Sequence, residues 1–310
     1  MRSPSFDPGL TQQFTAPFRR VINKDGTFNV QKRGATWRDF HPYLHLINMS
    51  WPGFLATLFL GYAAINTLFA CVYFLLGPDQ LVGAEATTAA GRFFNDFFFS
   101  AHTLTTVGYG NIAPRTTPAN LVAAVEALIG VLGFAVATGL LFGRVSRPSA
   151  RIGFSENMIV APYQEGHSLQ VRVVNRRKNS LAELEARLML MIVEGDGSAK
   201  RTYTPLKLER PELLFMPLTW TIVHPIDEAS PLWGKGPDDL VQQQVEFLIT
   251  IKAFDDTFFQ TVHVRHSYRF EEVVWGARFI PAFEPDAQGE MVLDLGKLSE
   301  IIPAANPGKS

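Results

Sequence analysis

The chain has 310 residues, 47% of them apolar, and its 28 basic and 29 acidic side chains leave a formal net charge of −1. A chain this long accommodates two domains. The near-neutral balance, without any recognition motif for DNA or RNA, leaves no electrostatic footprint for a nucleic-acid partner.

The apolar residues are unevenly spread, and that decides the class. Positions 1–35 mix Pro4, Pro8, Gly9 and Pro17 with charges and read as a mobile N-terminal segment, in which Thr27 to Val30 is a β-prone patch able to pair with a sheet edge. Trp37, Phe40, Leu44 and Ile47 then recur at helical spacing beside Arg38, Asp39, His41 and His45. This predicts a helix over 37–47 lying flat at a membrane surface, with Pro42 limiting its start to near Asp39 or His41. Gly53 to Leu76 carries no charge, and Ala119 to Gly143 carries only Glu126. Both runs exceed the roughly 20 residues that cross a bilayer, so spans are expected over 52–76 and 118–146. Trp51 and Tyr73 are placed as interfacial anchors, and Gly77-Pro78 ends the first span. The sole cysteine, Cys71, excludes a disulfide within the chain and is expected to pack in a core.

Leu81 to Gly91 reads as an exposed outer loop. After it, Phe94, Phe97, Phe98 and Ala101 form an apolar stripe of helical period, predicting a short helix over 94–105 capped by Asn95 or Asp96. Arg33 and Arg38 precede the first span, and Arg144, Arg147 and Arg151 follow the second, whereas the connecting loop mixes both signs. The positive-inside rule therefore puts both termini in the cytoplasm and makes this a multi-pass protein of the cell (inner) membrane. The membrane domain is bounded at 36–148.

Between the short helix and the second span stands Thr106-Val107-Gly108-Tyr109-Gly110. Two glycines flanking one tyrosine allow dihedrals that other residues avoid, so successive carbonyl oxygens can point one way. Copies of such a segment around an axis would stack oxygen rings that replace the water of a potassium ion at Thr106, Val107, Gly108 and Tyr109, the arrangement found in potassium-channel filters. A half-helix aiming its carboxyl end at that axis would favour a cation.

In the second span, Phe134, Thr138 and Phe142 are spaced by four and share one quadrant of the helix. With Phe142 on the axis near the cytoplasmic end, its rings would form a constriction that gates by dewetting. Gly130 and Gly139, with Gly133, permit either bending or close helix packing. Glu126 is costly in lipid and needs a donor from protein or water.

After Arg144 the pattern changes to period two. Leu184, Ala186, Leu188, Leu190 and Ile192 face one way and Glu183, Glu185 and Arg187 the other, and similar alternation recurs at Leu169–Val173, Phe247–Ile251 and Val262–Val264. Short strands separated by turns such as Glu194-Gly195-Asp196-Gly197 predict a cytoplasmic β-sandwich over 149–302, followed by a tail, 303–310. No glycine-rich nucleotide motif follows any strand. His263 and His266 fall on opposite strand faces and read as structural, as does Asp227-Glu228 beside His224, since no nucleophile or metal cluster accompanies that pair and no enzyme is expected.

With these parts in place, the chain resembles the inward-rectifier potassium channels of the prokaryotic branch. The resemblance runs from about Trp37 to about Ile301. It rests on the filter, on His224-Pro225-Ile226-Asp227-Glu228-Ala229-Ser230-Pro231-Leu232, on Arg265-His266-Ser267-Tyr268 followed by Glu272-Val273-Val274-Trp275-Gly276, and on Arg147-Pro148. It implies a homotetramer around a central pore, an α-helical two-span membrane domain with pore helix and filter, and an immunoglobulin-like cytoplasmic domain prolonging the path. It also implies potassium as the permeant ion, Phe142 at the helix-bundle crossing, and Glu183 and Asp256 among carboxylates of the cytoplasmic pore, where magnesium or polyamines could sit. Arg147, Arg151, Arg176, Arg177 and Lys178 fall where the family carries basic residues near the membrane, which makes an anionic lipid headgroup a regulator by implication. Two departures stand out. Phe134 occupies the cavity position that is acidic in strong rectifiers, and His102 replaces the pore-helix glutamate of animal members. The alternative weighed against a conducting channel is a membrane-tethered sensor or binding module with a non-conducting pore.

Overall fold

The computed structural model describes residues 8–10, 20–31, 33–34, 36–146, 151–194 and 200–304. Its contacts divide the chain into two units, Arg33–Arg147 and a second made of Met1–Lys32 with Pro148–Ser310.

In the first unit, a 3-10 turn at Trp37–Asp39 precedes helix α1 (Pro42–Asn48). The helix expected over 37–47 is thus in two pieces. His41 is extended (φ −106°, ψ 98°) because the ring of Pro42 disfavours helical geometry in the residue before it, and Pro42 takes the first helical position. Helix α2 (Trp51–Leu76) starts with the Ser50 hydroxyl accepting from the Gly53 N–H and ends at Gly77, whose φ of +115° a side chain would resist. The loop beyond is less open than its composition indicates. Strand β1 (Leu81–Val82) pairs with β2 (Ala113–Pro114), and Leu81 and Ala84 are buried with Phe69, Tyr73, Phe99 and Ala119.

Helix α3 (Ala89–Leu104) begins earlier than the expected 94, with the Thr88 hydroxyl accepting from the Gly91 N–H. Asn95 and Asp96 are not its cap; the Asn95 amide donates to the Ala84 carbonyl and Asp96 is buried. The phenylalanine stripe also divides, with Phe94 and Phe98 exposed while Phe99, Ser100 and Leu104 turn inward. Helix α4 (Thr117–Val145) runs unbroken from a Thr116 cap. Helices α2 and α4 are the two described helices long and apolar enough to span a membrane. Tyr73 is no interfacial anchor, because its ring is 1% exposed and its hydroxyl is committed to Glu126. Cys71 is exposed on the chain's surface rather than packed in a core.

The second unit is a sandwich of two sheets. Its strands are β3 (Ile152–Phe154), β4 (Met158–Tyr163), β5 (Gly166–Asn175), β6 (Leu181–Glu194), β7 (Lys200–Leu206), β8 (Glu212–Phe215), β9 (Thr219–Ile226), β10 (Glu246–Asp255), β11 (Gln260–Arg269) and β12 (Val273–Trp275). One sheet runs β11-β10-β6-β7, with β8 also pairing β6; the other runs β12-β4-β5-β3, with β9 pairing β5. The period-two alternation has a plain cause. Leu184, Ala186, Leu188 and Leu190 of β6 and Phe247, Ile249 and Ile251 of β10 point into one core with Leu169, Val171 and Val173 of β5 and Trp220 and Ile222 of β9. Beyond β12, β13 (Ala277–Phe279) pairs with β16 (Ile301–Pro303), and β14 (Phe283–Pro285) with β15 (Met291–Leu293). Of the turn read at Glu194 to Gly197, Gly195, Asp196 and Gly197 lie outside the described residues.

The described residues 20–30 of the N-terminal segment depart from its reading as mobile, whereas Pro4 and Pro17 lie outside the described residues. Residues 20–30 form a strap against the first sheet, with Ile22 3% exposed and packed on Met191, Tyr203 and Leu248. The Val21 N–H donates to the Glu246 carboxylate at 3.0 Å, the Ser267 hydroxyl donates to the Ile22 carbonyl, and Arg20 and Lys24 pair with Glu272. The β-prone patch bridges back to Ile22 through Phe28, so its partner is the same segment and not a distant sheet edge.

Candidate functional site

The ribbon Thr106–Gly110 leaves the carboxyl end of α3. The Thr106 N–H donates to the Thr103 carbonyl, and the Val107 and Gly108 N–H groups both donate to the His102 carbonyl, at 3.0 and 3.2 Å. With the amides of Thr106, Val107 and Gly108 turned back toward the helix, no carbonyl of the ribbon accepts a backbone hydrogen bond among the described residues. The backbone has positive φ at Thr106 (+61°), Gly108 (+53°) and Gly110 (+81°), with negative φ between them. Alternation of this kind turns successive carbonyls to one side, which a regular strand cannot do. Threonine is rarely held there, so Thr106 stores local strain of a kind that collects at functional sites. All five residues are exposed in the single chain, and Tyr109 stands edge-on to the His102 ring at 4.8 Å.

Behind the ribbon, the carboxyl group of Glu126 accepts from the Tyr73 hydroxyl at 2.6 Å and meets the Ser100 hydroxyl, which also lies 3.0 Å from the Asn66 amide oxygen. Tyr73, Ser100 and Asn66 are site residues that sequence reasoning missed. Asn66, a bare amide in an apolar run, was the readable signal. One turn further along α4, Gly130 faces the Leu104 carbonyl so closely that a Cβ would collide with it, whereas Gly133 and Gly139 face open space. Of the two hinge candidates, Gly130 thus serves close packing and Gly139 has no close neighbour.

Phe134, Thr138 and Phe142 are all exposed on one side of α4. Phe134 shares a cavity of 550 Å³ with Thr105, Thr106 and Gly130, just below the ribbon. At the carboxyl end of α4, the Arg144 guanidinium donates to the carbonyls of Leu46, Ile47 (2.9 Å) and Met49 (2.7 Å) and lies over the rings of Trp51 and Phe54. It thereby fills the acceptors left open where α1 ends. The sequence marked Arg144 only as a topology charge.

In the sandwich, Glu183 (φ +49°) is exposed beside a register shift of β10 and shares a 380 Å³ hollow with Glu185, Glu212 and Lys252. Asp256 is exposed in the β10–β11 turn. Its neighbour Asp255 is buried and committed, accepting from the Thr257 N–H and the Asn179 amide. Exposed Arg151 and Arg176 are adjacent, the Arg176 N–H donating to the Arg151 carbonyl, with Arg177 and exposed Lys178 following; Arg147 lies outside the described residues. His224 is a core residue, its ring bonded to the Lys207 carbonyl and the Ser230 hydroxyl, and burial holds its pKa below the usual 6.5. No group of three or more potential metal ligands occurs among the described residues.

Comparison with known proteins bears on the whole chain. Residues 152–310 match the family described as the inward rectifier potassium channel C-terminal domain, and residues 57–147 match the one described as ion channel. The inward rectifier potassium channel Kirbac3.1 of Paramagnetospirillum magnetotacticum is 36% identical over 287 residues, 91% of this chain and 95% of the relative. ATP-sensitive inward rectifier potassium channel 10 of Rattus norvegicus is 28% identical, covering 98% of this chain and 85% of its own length. ATP-sensitive inward rectifier potassium channel 11 of Cavia porcellus is 25% identical over 93% and 79%.

Proposed function

This chain belongs to the inward rectifier potassium channel family, and from that premise we propose how its residues conduct. It is a membrane protein and a potassium channel of inward-rectifier type, not an enzyme, with potassium as the permeant ion. The finer reading is ours. Four identical chains surround one axis, and Thr106, Val107, Gly108, Tyr109 and Gly110 of each supply the rings of main-chain oxygen. The observation that carries it is the alternating backbone of Thr106 to Gly110, with the amides of Thr106, Val107 and Gly108 turned toward α3. A potassium ion sheds water only where enough dipoles of suitable field replace it, and four such ribbons meet that demand without net charge.

Below the filter, Phe134 and Thr138 face the cavity and Phe142 closes the helix-bundle crossing. Phenyl rings at Phe142 exclude water when close together and admit it when the helices part. With Gly130 packed on α3, any bending of α4 falls to Gly133 or Gly139. Both termini are cytoplasmic, 36–148 is the pore domain in the cell (inner) membrane, and 149–302 is the regulatory sandwich. There Glu183 and Asp256 concentrate cations and give magnesium or a polyamine a place to bind. Arg147, Arg151, Arg176, Arg177 and Lys178 meet anionic headgroups, of which the adjacent pair Arg151 and Arg176 offers the best two-point contact for a phosphate.

The test is ion flux from liposomes holding the purified tetramer, with and without anionic lipid. Potassium or rubidium should pass, sodium should not, and barium should block. Equal sodium and potassium flux would overturn the assignment of the filter residues.

A further inference from the structure

Three helices converge on one carboxyl group. Tyr73 of α2 donates to Oε2 of Glu126 at 2.6 Å, and Ser100 of α3 meets Oε1. The Ser100 hydroxyl also lies 3.0 Å from the Asn66 Oδ1 of α2, while the Asn66 amide N–H is committed to the Tyr62 carbonyl at 2.7 Å. Asn66, Ser100 and Glu126 are 0% exposed and Tyr73 1%. No ion pair joins Glu126 to a basic group among the described residues.

Counting protons constrains this cluster. A serine hydroxyl has one proton, and two acceptors face it. If that proton goes to Asn66, the contact between Ser100 and Glu126 has none unless the carboxyl group brings its own. An ionised carboxylate with no basic partner is also expensive to bury, whereas an acid that donates is not. A proton on Oε1 resolves both conflicts. The chain of bonds then runs from Glu126 to Ser100 to Asn66 to the Tyr62 carbonyl, with Tyr73 donating in from the side, and each of these polar groups has its partner.

The same face of α4 reaches the filter's root. Glu126 and Gly130 are one turn apart on α4, and they meet Ser100 and Leu104, one turn apart on α3. Between Ser100 and Leu104 lies His102, whose carbonyl receives the Val107 and Gly108 amides. Whatever shifts α3 on α4 therefore shifts the ribbon.

We propose that Glu126 is the positioning residue for ion selection, a protonated, uncharged hub that locks the filter-bearing end of α3 to both spans. It rests on the filter assignment above. Glutamine retains an uncharged donor and acceptor, and leucine retains neither. In liposomes, the full-length Glu126→Gln channel should keep its potassium-over-sodium preference within about twofold. Glu126→Leu and Ser100→Ala should each lose at least about tenfold of it, the worth of one buried hydrogen bond, with tetramers intact on gel filtration. An infrared carbonyl band of a protonated carboxyl should be present in the wild type and missing from Glu126→Gln. Loss of preference in Glu126→Gln equal to that in Glu126→Leu would mean that charge is needed and overturn the hub. Wild-type preference in Ser100→Ala would overturn positioning, and Ser100→Ala decides this even if Glu126→Leu fails to assemble. Indifference of the wild type itself to sodium or potassium would fault the filter assignment instead.

Discussion

His266 makes the stability of the strap-bearing sandwich depend on pH in a direction that the structure sets. Its ring is 7% exposed, stacked on Phe154 at 4.6 Å and edge-on to Tyr268, and Nδ1 lies 2.9 Å from the Lys24 carbonyl. A carbonyl only accepts, so Nδ1 holds the proton and the neutral ring is complete without a second. Burial pushes its pKa from 6.5 down to about 4; the Lys24 carbonyl pulls the other way, Arg20 and Lys24 add to the depression, and Glu272 opposes it. The unfolded chain therefore takes up this proton first as pH falls. The contribution is fully present above about pH 6.5 and is lost on the way down to about pH 4. Between about pH 7.5 and about pH 5 the loss comes to about 2 kcal/mol. For a domain of this size that corresponds to about 4 to 8 °C in Tm. The assay is thermal unfolding of the full chain in detergent, followed by tryptophan fluorescence. His266→Asn keeps an N–H near the Lys24 carbonyl but cannot titrate, so its Tm should fall less by that amount. His224 is also held low by burial but is common to both proteins and cancels in the difference. Parallel pH curves for wild type and His266→Asn would refute the reasoning.

Two further outcomes follow from the membrane unit. Phe142→Ala removes an exposed ring near the end of α4 and should raise single-channel open probability several-fold, with potassium selectivity unchanged; an unaltered open probability counts against a constriction there. Arg144→Lys keeps the charge but cannot serve three carbonyls at once, so about 1–3 kcal/mol of charge-assisted bonding is lost. Backbone amides of Tyr43 to Met49 should then exchange hydrogen about tenfold faster or more, and exchange at the wild-type rate would show that the clamp carries no load.

What the sequence made legible was whatever repeats locally. The apolar runs and the period-two segments are contained in short windows, and the structure forms long helices over the first and sandwich strands over the second. Pairings across distance were not readable. Tyr73 looks like an anchor at a span's end until the carboxyl of Glu126, 53 positions on, accounts for its hydroxyl. Glu246 and His266 look like ordinary strand residues until Val21 and Lys24 arrive from more than 220 positions away. The break before Pro42 and the early start of α3 at Thr88 were local, and both turned on the geometry of a single residue that periodicity does not weigh. The single chain also leaves Phe94, Phe98, Phe134 and Phe142 exposed, so periodicity could mark these rings as apolar faces without naming what meets them.

The strap imposes an order on biosynthesis. Ile22 leaves the ribosome before either span, yet Leu248 and Ser267, against which it settles, are made only after both spans have been translated. Until then the strap has no seat in its own chain. The sandwich is consequently finished by a segment that precedes both spans, and removal of residues 20–30 would uncover Met191, Tyr203 and Leu248.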